Sequence, residues 1–111
     1  MLEEFIKRQF AIRDAAHRAH WTTDSGYQHK TLGGFYKGVI DKADMLVEAS
    51  IAAFGEKPES PNNAIEQIRE NMIWLIENRK KLAREVPAIE NIVDEVCKFY
   101  LDELFKLENL R

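Results

Sequence analysis

Side chains that bind transition metals are concentrated between residues 17 and 48. This stretch holds all three histidines of the chain, which are His17, His20 and His29. His20 and His29 flank residues 22–26, a cluster of turn formers that predicts a reversal between two helices. Neighbouring antiparallel helices would bring both imidazoles together, and imidazole is a suitable ligand for Zn, Cu, Fe or Ni. The pattern therefore predicts a shared metal site at this turn.

The same histidines also have a purely structural interpretation. A histidine near the end of a helix can cap the helix or pack against the neighbouring one. Both interpretations of His20 and His29 remain open on spacing alone. His17 lies three residues before His20 and could join the same site, but it could equally face solvent, so it ranks below the other two.

Three carboxylates follow on the next predicted helix at spacings that place them on one face. These are Asp41, Asp44 and Glu48. An acidic face is most often simply solvated, but the helical neighbours of Asp44 are apolar. They are Ile40, Val47 and Ile51. A carboxylate among apolar neighbours must be paired, protonated or bound to metal to offset its desolvation. Asp44 is therefore a candidate ligand, with Glu48 as the second carboxylate and Asp41 ranked below both.

The histidines and the carboxylates cannot meet within one chain. His29 and Asp44 are separated by about 22 Å on a straight helix, and Glu48 is about 28 Å from His29. A second copy of the helix, antiparallel and related by a two-fold axis, would place its carboxylates beside the histidines of the first. A mixed site of both ligand types therefore predicts a homo-oligomer, at least a dimer.

Helical periodicity and capping signals predict four helices in a single domain, over about residues 2–22, 26–54, 61–85 and 87–110. Ser25 with Gln28 forms a capping-box pattern, and Gly55 is a typical C-terminal cap. Ser60 and Pro61 favour the third start, although Asn63 offers a competing one. The linker before that start is short, and six residues reach only about 20 Å. An all-α, up-down-up-down four-helix bundle is the expected fold.

Composition excludes several classes of protein. The chain has 111 residues, 32% of them charged, a net charge of −3 and no basic block, so nucleic-acid binding is not expected. It has no apolar run near the length needed to span a bilayer. Cys97 is the only cysteine and cannot form an internal disulfide, which favours a cytoplasmic location. No nucleophile triad, phosphate-binding loop or zinc-finger spacing is present.

The combined motif resembles a known family. His20-Trp21, then Tyr27-x-His29, then Asp44-x-x-x-Glu48 is similar to the Dps-like branch of the ferritin superfamily. The run Tyr27-x-His29-Lys30-x-Leu32-Gly33-x-Phe35-Tyr36 is more similar still to short ferritin-like proteins of phage and marine sequences. This similarity implies a cytoplasmic protein or, as the alternative, one that is phage-encoded in a host cytoplasm. The resemblance covers about residues 16–55, a little over a third of the chain.

This resemblance implies an iron-binding ferroxidase site between two-fold-related subunits, with O2 or peroxide as oxidant. His20 and His29 would come from one chain, and Asp44 and Glu48 from the other. The short linker does not allow the long crossover of ferritins, so a dimer is expected rather than a hollow twelve-subunit cage. The lysine-rich tail that some relatives use to bind DNA is also absent from the sequence.

Two aromatic residues could line such a site. Trp21 adjoins His20 and could shield the site, although a core position is the first interpretation of a tryptophan here; Tyr36 could bind a ligand or merely pack. The expected function is Fe(II) binding and oxidation. The alternatives are a non-catalytic helical interaction module with a relic of the site, or a structural or hydrolytic Zn or Mn site.

Overall fold

The structure is a computed structural model that describes residues 1–110. Its regular elements in this range are all α-helices, which confirms the predicted all-α class. The helices divide into two compact units, residues Met1–Glu59 and a second unit from Ser60 onwards. Each unit is an antiparallel pairing of helices and is described separately. The packing of both units as a four-helix bundle stays a prediction.

The first unit consists of α1 (Leu2–Thr22) and α2 (Gly26–Phe54), which have the expected bounds. Ser25 caps α2 because its Oγ accepts a hydrogen bond from the backbone N–H of Gln28 at 3.2 Å. The Gln28 side chain in turn accepts a hydrogen bond from the Thr23 hydroxyl at 2.7 Å. Gly55 ends α2 in the left-handed conformation, with φ of 69°, where glycine avoids the steric cost that other residues meet. The turn between α1 and α2 is therefore fixed by the hydrogen bonds of Ser25 and Thr23 to Gln28, immediately beside His20 and His29.

Small residues form the interior of the first unit. Its buried residues are Ala16, Gly33 and Ala43. They let the two helices approach closely, but they bury little apolar area. Larger apolar side chains lie along both edges of the pair, and Phe10 and Phe35 are 55% and 46% exposed. The first unit therefore leaves much apolar surface for other contacts.

The second unit contains α3 (Ala64–Glu77), α4 (Arg79–Ala83) and α5 (Pro87–Asn109). The predicted helix over 61–85 was wrong in two respects. It begins at Ala64 with Asn63 as its N-cap, because the asparagines that follow Pro61 favour a turn over helix. The competing start at Asn63 is thus confirmed, and the start at Ser60 and Pro61 is not. The helix is also interrupted at Asn78, whose side-chain amide donates to the Trp74 carbonyl at 2.8 Å. An asparagine that binds a backbone carbonyl in this way competes with the helical hydrogen-bond pattern.

The connection from α4 to α5 is a tight reversal. Arg84 and Glu85 both have positive φ, 48° and 66°, and Val86 is extended. A residue before proline is disfavoured in the α region, so helical structure cannot continue from Val86 into Pro87 without this break. Pro87 occupies the first turn of α5, as predicted, where its missing N–H is not needed. The reversal returns α5 alongside α3 and α4.

Polar pairs join the helices of the second unit. The Arg79 guanidinium donates to both carboxylate oxygens of Asp94, at 2.6 and 2.8 Å, and also pairs with Glu90 at 3.2 Å. The hydrogen bond from Arg79 holds the pKa of Asp94 below its ordinary value. Nearer the other end, the Asn71 amide donates to the Tyr100 hydroxyl at 2.6 Å. The buried apolar residues of this unit are Ala83, Val93 and Leu104.

Among residues 1–110, each helix is too short or too polar to cross a membrane.

Candidate metal site

His20 and His29 bind each other's backbone across the first turn. The Nδ1 atom of His20 lies 2.6 Å from the carbonyl oxygen of His29, and the Nδ1 atom of His29 lies 2.7 Å from the carbonyl oxygen of His20. A carbonyl oxygen can only accept a hydrogen bond, so Nδ1–H must be the donor in both rings. The two hydrogen bonds therefore fix both the tautomer and the orientation of each imidazole.

This tautomer leaves Nε2 as the unprotonated nitrogen of each neutral ring. Metal-binding histidines in proteins commonly donate their other ring N–H to a carbonyl or carboxylate in this way. The two rings are stacked with centroids 3.7 Å apart and planes inclined by 20°. Because a lone pair lies in the plane of its ring, two nearly parallel imidazoles cannot both point at one ion. Each histidine is thus oriented to bind its own ion.

A second aromatic group extends from this pair into α1. His17 stacks on Tyr36 with centroids 3.7 Å apart, and the Trp21 ring lies 4.2 Å from His17 on the other side. Tyr36 also meets His20 edge-on at 5.4 Å. His17 is half-buried against Tyr36 and does not face solvent alone. Trp21 is 68% exposed, so its expected core position is wrong for this unit, and its ring contacts His17 at the surface.

The three candidate carboxylates lie farther along α2 and do not reach the histidines. Asp44 is exposed and opens onto an apolar groove lined by Ile6, Phe10 and Val47. Asp41 and Glu48 are likewise exposed. Within residues 1–110 these acids form no ion pair, and no group of three or more His, Cys, Asp or Glu side chains comes together. One chain therefore presents the histidines and the carboxylates as separate groups.

Arg13 lies one turn before His17 on α1, and its environment is not evident from the sequence. Its Nε atom is buried without a hydrogen-bond partner among the described residues. A buried donor without an acceptor is costly, typically about 1–3 kcal/mol. The sequence contains only a weak indication of this, namely an arginine on a mostly apolar helix face. Such an arginine needs a hydrogen-bond acceptor that its own helix does not supply.

Comparison with known proteins identifies the family. Residues 20–107 match a family of unknown function, DUF5856. The chain belongs to this family. The DUF5856 match includes His20, His29, Asp44 and Glu48, and it continues through α5 to Leu107. The chain matches no curated protein and no solved structure.

Proposed function

We propose that this DUF5856 protein is a ferritin-like protein that binds and oxidises Fe(II) at sites between two copies of the chain. The observation that carries the proposal is the reciprocal pair of Nδ1–H hydrogen bonds between His20 and His29. These bonds present two fixed Nε2 donors without any need for the metal to orient them. Histidines that only capped the helix ends would not need a reciprocal pair of hydrogen bonds that orients both rings.

A second copy supplies the missing ligands in this proposal. Asp44 and Glu48 of one copy lie beside His20 and His29 of the other, and the two-fold axis generates two equivalent sites. Each copy folds as an up-down-up-down four-helix bundle, and the first unit forms the dimer contact. The apolar groove beside Asp44 supports such a contact, as does the partnerless Nε of Arg13. Both features are costly to leave facing water or an empty space.

At each ion, one imidazole nitrogen of one copy and a carboxylate of the other make a donor set that suits iron, and Zn or Mn would be the alternatives. Fe(II) is the substrate, which loses an electron to O2 or peroxide. The chain's own residues bind and orient it: the imidazoles supply neutral nitrogen donors, and the carboxylates supply negative charge that favours the higher oxidation state. The Tyr36–His17 stack, with Trp21 beside His17, packs next to His20 and helps to hold its ring in place.

The test is aerobic Fe(II) oxidation by the full chain, followed by absorbance and compared with buffer. Asp44→Asn/Glu48→Gln removes two negative charges with little change in shape and should abolish the rate above buffer. Glu70→Gln/Glu77→Gln makes the same charge change on exposed positions of α3 and should retain the wild-type rate. Equal rates for wild type and Asp44→Asn/Glu48→Gln would refute the proposal.

The second candidate function is a non-catalytic helical interaction module, and one observation favours it. Phe99, Leu101 and Phe105 of α5 are 55–62% exposed within the chain, which suits a protein-binding face. A chelator distinguishes the two functions. Removal of metal should lower the Tm of a metal-binding protein by mass action, whereas it should leave an interaction module unchanged.

A further inference from the structure

Gly33 of α2 lies directly beneath the His20 ring. Gly33 is buried, and a Cβ atom at this position would lie 3.1 Å from His20 Cε1 and 3.3 Å from His20 Nδ1. Both separations are shorter than an ordinary van der Waals contact. The nearby Gly34 and Gly38 differ, because a Cβ on either would meet no atom within 4 Å. Only one of these three helical glycines is therefore required for space.

His20 has little freedom to move away from such a Cβ. Its Nδ1–H is bound to the His29 carbonyl at 2.6 Å, its face is stacked on His29, and its edge meets Tyr36. A displacement of a few tenths of an ångström would lengthen the hydrogen bond that fixes the tautomer. It would also open the stack that orients Nε2.

We propose that Gly33 is a positioning residue for the metal site. The absence of a side chain at residue 33 lets the His20 imidazole pack closely against α2, so that its Nδ1–H reaches the His29 carbonyl and its Nε2 stays free of this hydrogen bond. Gly33 touches no metal and acts through His20. Its role in metal binding depends on the proposed function, whereas its role in holding His20 can be measured without metal.

The first test compares alanine substitutions by thermal unfolding of the full chain without metal. Gly34→Ala and Gly38→Ala should each raise Tm by about 3–6 °C, since alanine favours helix and nothing obstructs it. Gly33→Ala should lower Tm. In a His20→Ala background the obstructing ring is gone, and Gly33→Ala should then raise Tm as the other two do. A fall in Tm in both backgrounds would overturn the assignment, and so would a rise in both.

The second test measures the ring itself. Nitrogen-15 NMR of the metal-free protein should show the Nδ1–H tautomer of His20 in wild type and in Gly34→Ala, and a mixture of tautomers in Gly33→Ala. Anaerobic Fe(II) titration should then show an affinity lowered by about tenfold or more in Gly33→Ala, as for loss of other supporting partners of a ligand. An unchanged tautomer and affinity in Gly33→Ala would overturn the proposal. If wild type itself binds no Fe(II), the proposed function fails, while Tm and tautomer still decide the role of Gly33.

Discussion

In the unit from Ser60 onwards, Arg79 binds Asp94 and Glu90 across the helices, whereas the acids of α2 in the first unit bind no described residue. A similar contrast holds for neutral polar groups. Asn71 and Tyr100 join α3 to α5, while the imidazoles of His20 and His29 use one nitrogen each on the backbone and keep the other. The second unit uses its polar side chains to hold its helices together. The first unit uses one nitrogen of His20 and of His29 to join its helices, and leaves their other nitrogens and the acids of α2 available.

The two units also differ in the size of the side chains that they bury. The first is closed by alanine and glycine, whereas the second also buries Val93 and Leu104. A helix pair packed through small residues gains little from apolar burial by itself. The first unit therefore combines weak internal stabilisation with unused imidazole nitrogens and carboxylates, as the proposed shared site requires. Four predictions test this contrast.

The largest expected effect comes from combining two inactive variants. His20→Ala/His29→Ala and Asp44→Asn/Glu48→Gln should each lose Fe(II) oxidation by more than about 100-fold, since even outer partners of a ligand contribute about 10–100-fold. When both are co-expressed, half of the dimers hold one copy of each variant, and one of their two sites is complete. Activity should return to about a quarter of wild type.

Recovery in that mixture requires that ligands come from different chains. Each variant expressed alone serves as the control and should show no recovery. A wild-type rate in either variant would show that its residues are not ligands, and inactivity of the mixture despite dimer formation would refute a site shared between two chains.

The next prediction compares how much a leucine of each unit contributes to the free energy of unfolding. Leu104 is 5% exposed, whereas Leu46 in α2 is 46% exposed. Leu104→Ala should lower the free energy of unfolding by about 2–4 kcal/mol, through lost burial and the cavity left behind. Leu46→Ala should change it by less than about 1 kcal/mol in dilute protein. Urea unfolding measures both, and equal losses would contradict the contrast between the units.

Local signals account for what sequence analysis predicted well. Both ends of α2 were predicted from Ser25 and Gly55, and the start of α5 from Pro87, because each depends on hydrogen bonding or φ of a few adjacent residues. The break at Asn78 was missed, since asparagine interrupts a helix only when its side chain adopts the rotamer that reaches back to a carbonyl. Sequence periodicity contains no such rotamer information.

In the candidate site too, some features could be predicted from the sequence and others could not. The proximity of His20 and His29 followed from a short turn between antiparallel helices. Their reciprocal hydrogen bonds did not, because spacing fixes where Cα atoms lie and leaves χ angles open. Gly33 could not be distinguished from Gly34 and Gly38 for the same reason. The pairing with Asp44 and Glu48 of a second copy depends on assembly, and it stays a prediction.

A smaller effect tests the cap that holds the metal-site turn. Ser25→Ala removes the oxygen that accepts from the Gln28 N–H and should lower the free energy of unfolding by about 1 kcal/mol. Ser60→Ala is the matched control, because α3 begins at Ala64 and the Ser60 hydroxyl caps no helix. It should change stability by less than about 0.5 kcal/mol. Thermal or urea unfolding compares them, and a larger loss for Ser60→Ala would return the start of α3 to Ser60.

The smallest effect concerns the pair that holds the second unit, and it depends on pH. The hydrogen bond from Arg79 lowers the pKa of Asp94 in the folded chain. The ionised carboxylate is therefore favoured by folding, and its contribution is present above the pKa of the unfolded chain and lost as pH falls through the lowered folded value. Asp94→Asn should lower Tm at pH 7, and its difference from wild type should shrink below about pH 4. Asp102→Asn, which breaks only an exposed pair with Lys98 within α5, should have the smaller effect at pH 7. A difference between Asp94→Asn and wild type that stays constant down to pH 3 would show that Arg79 does not hold the second unit through this charge.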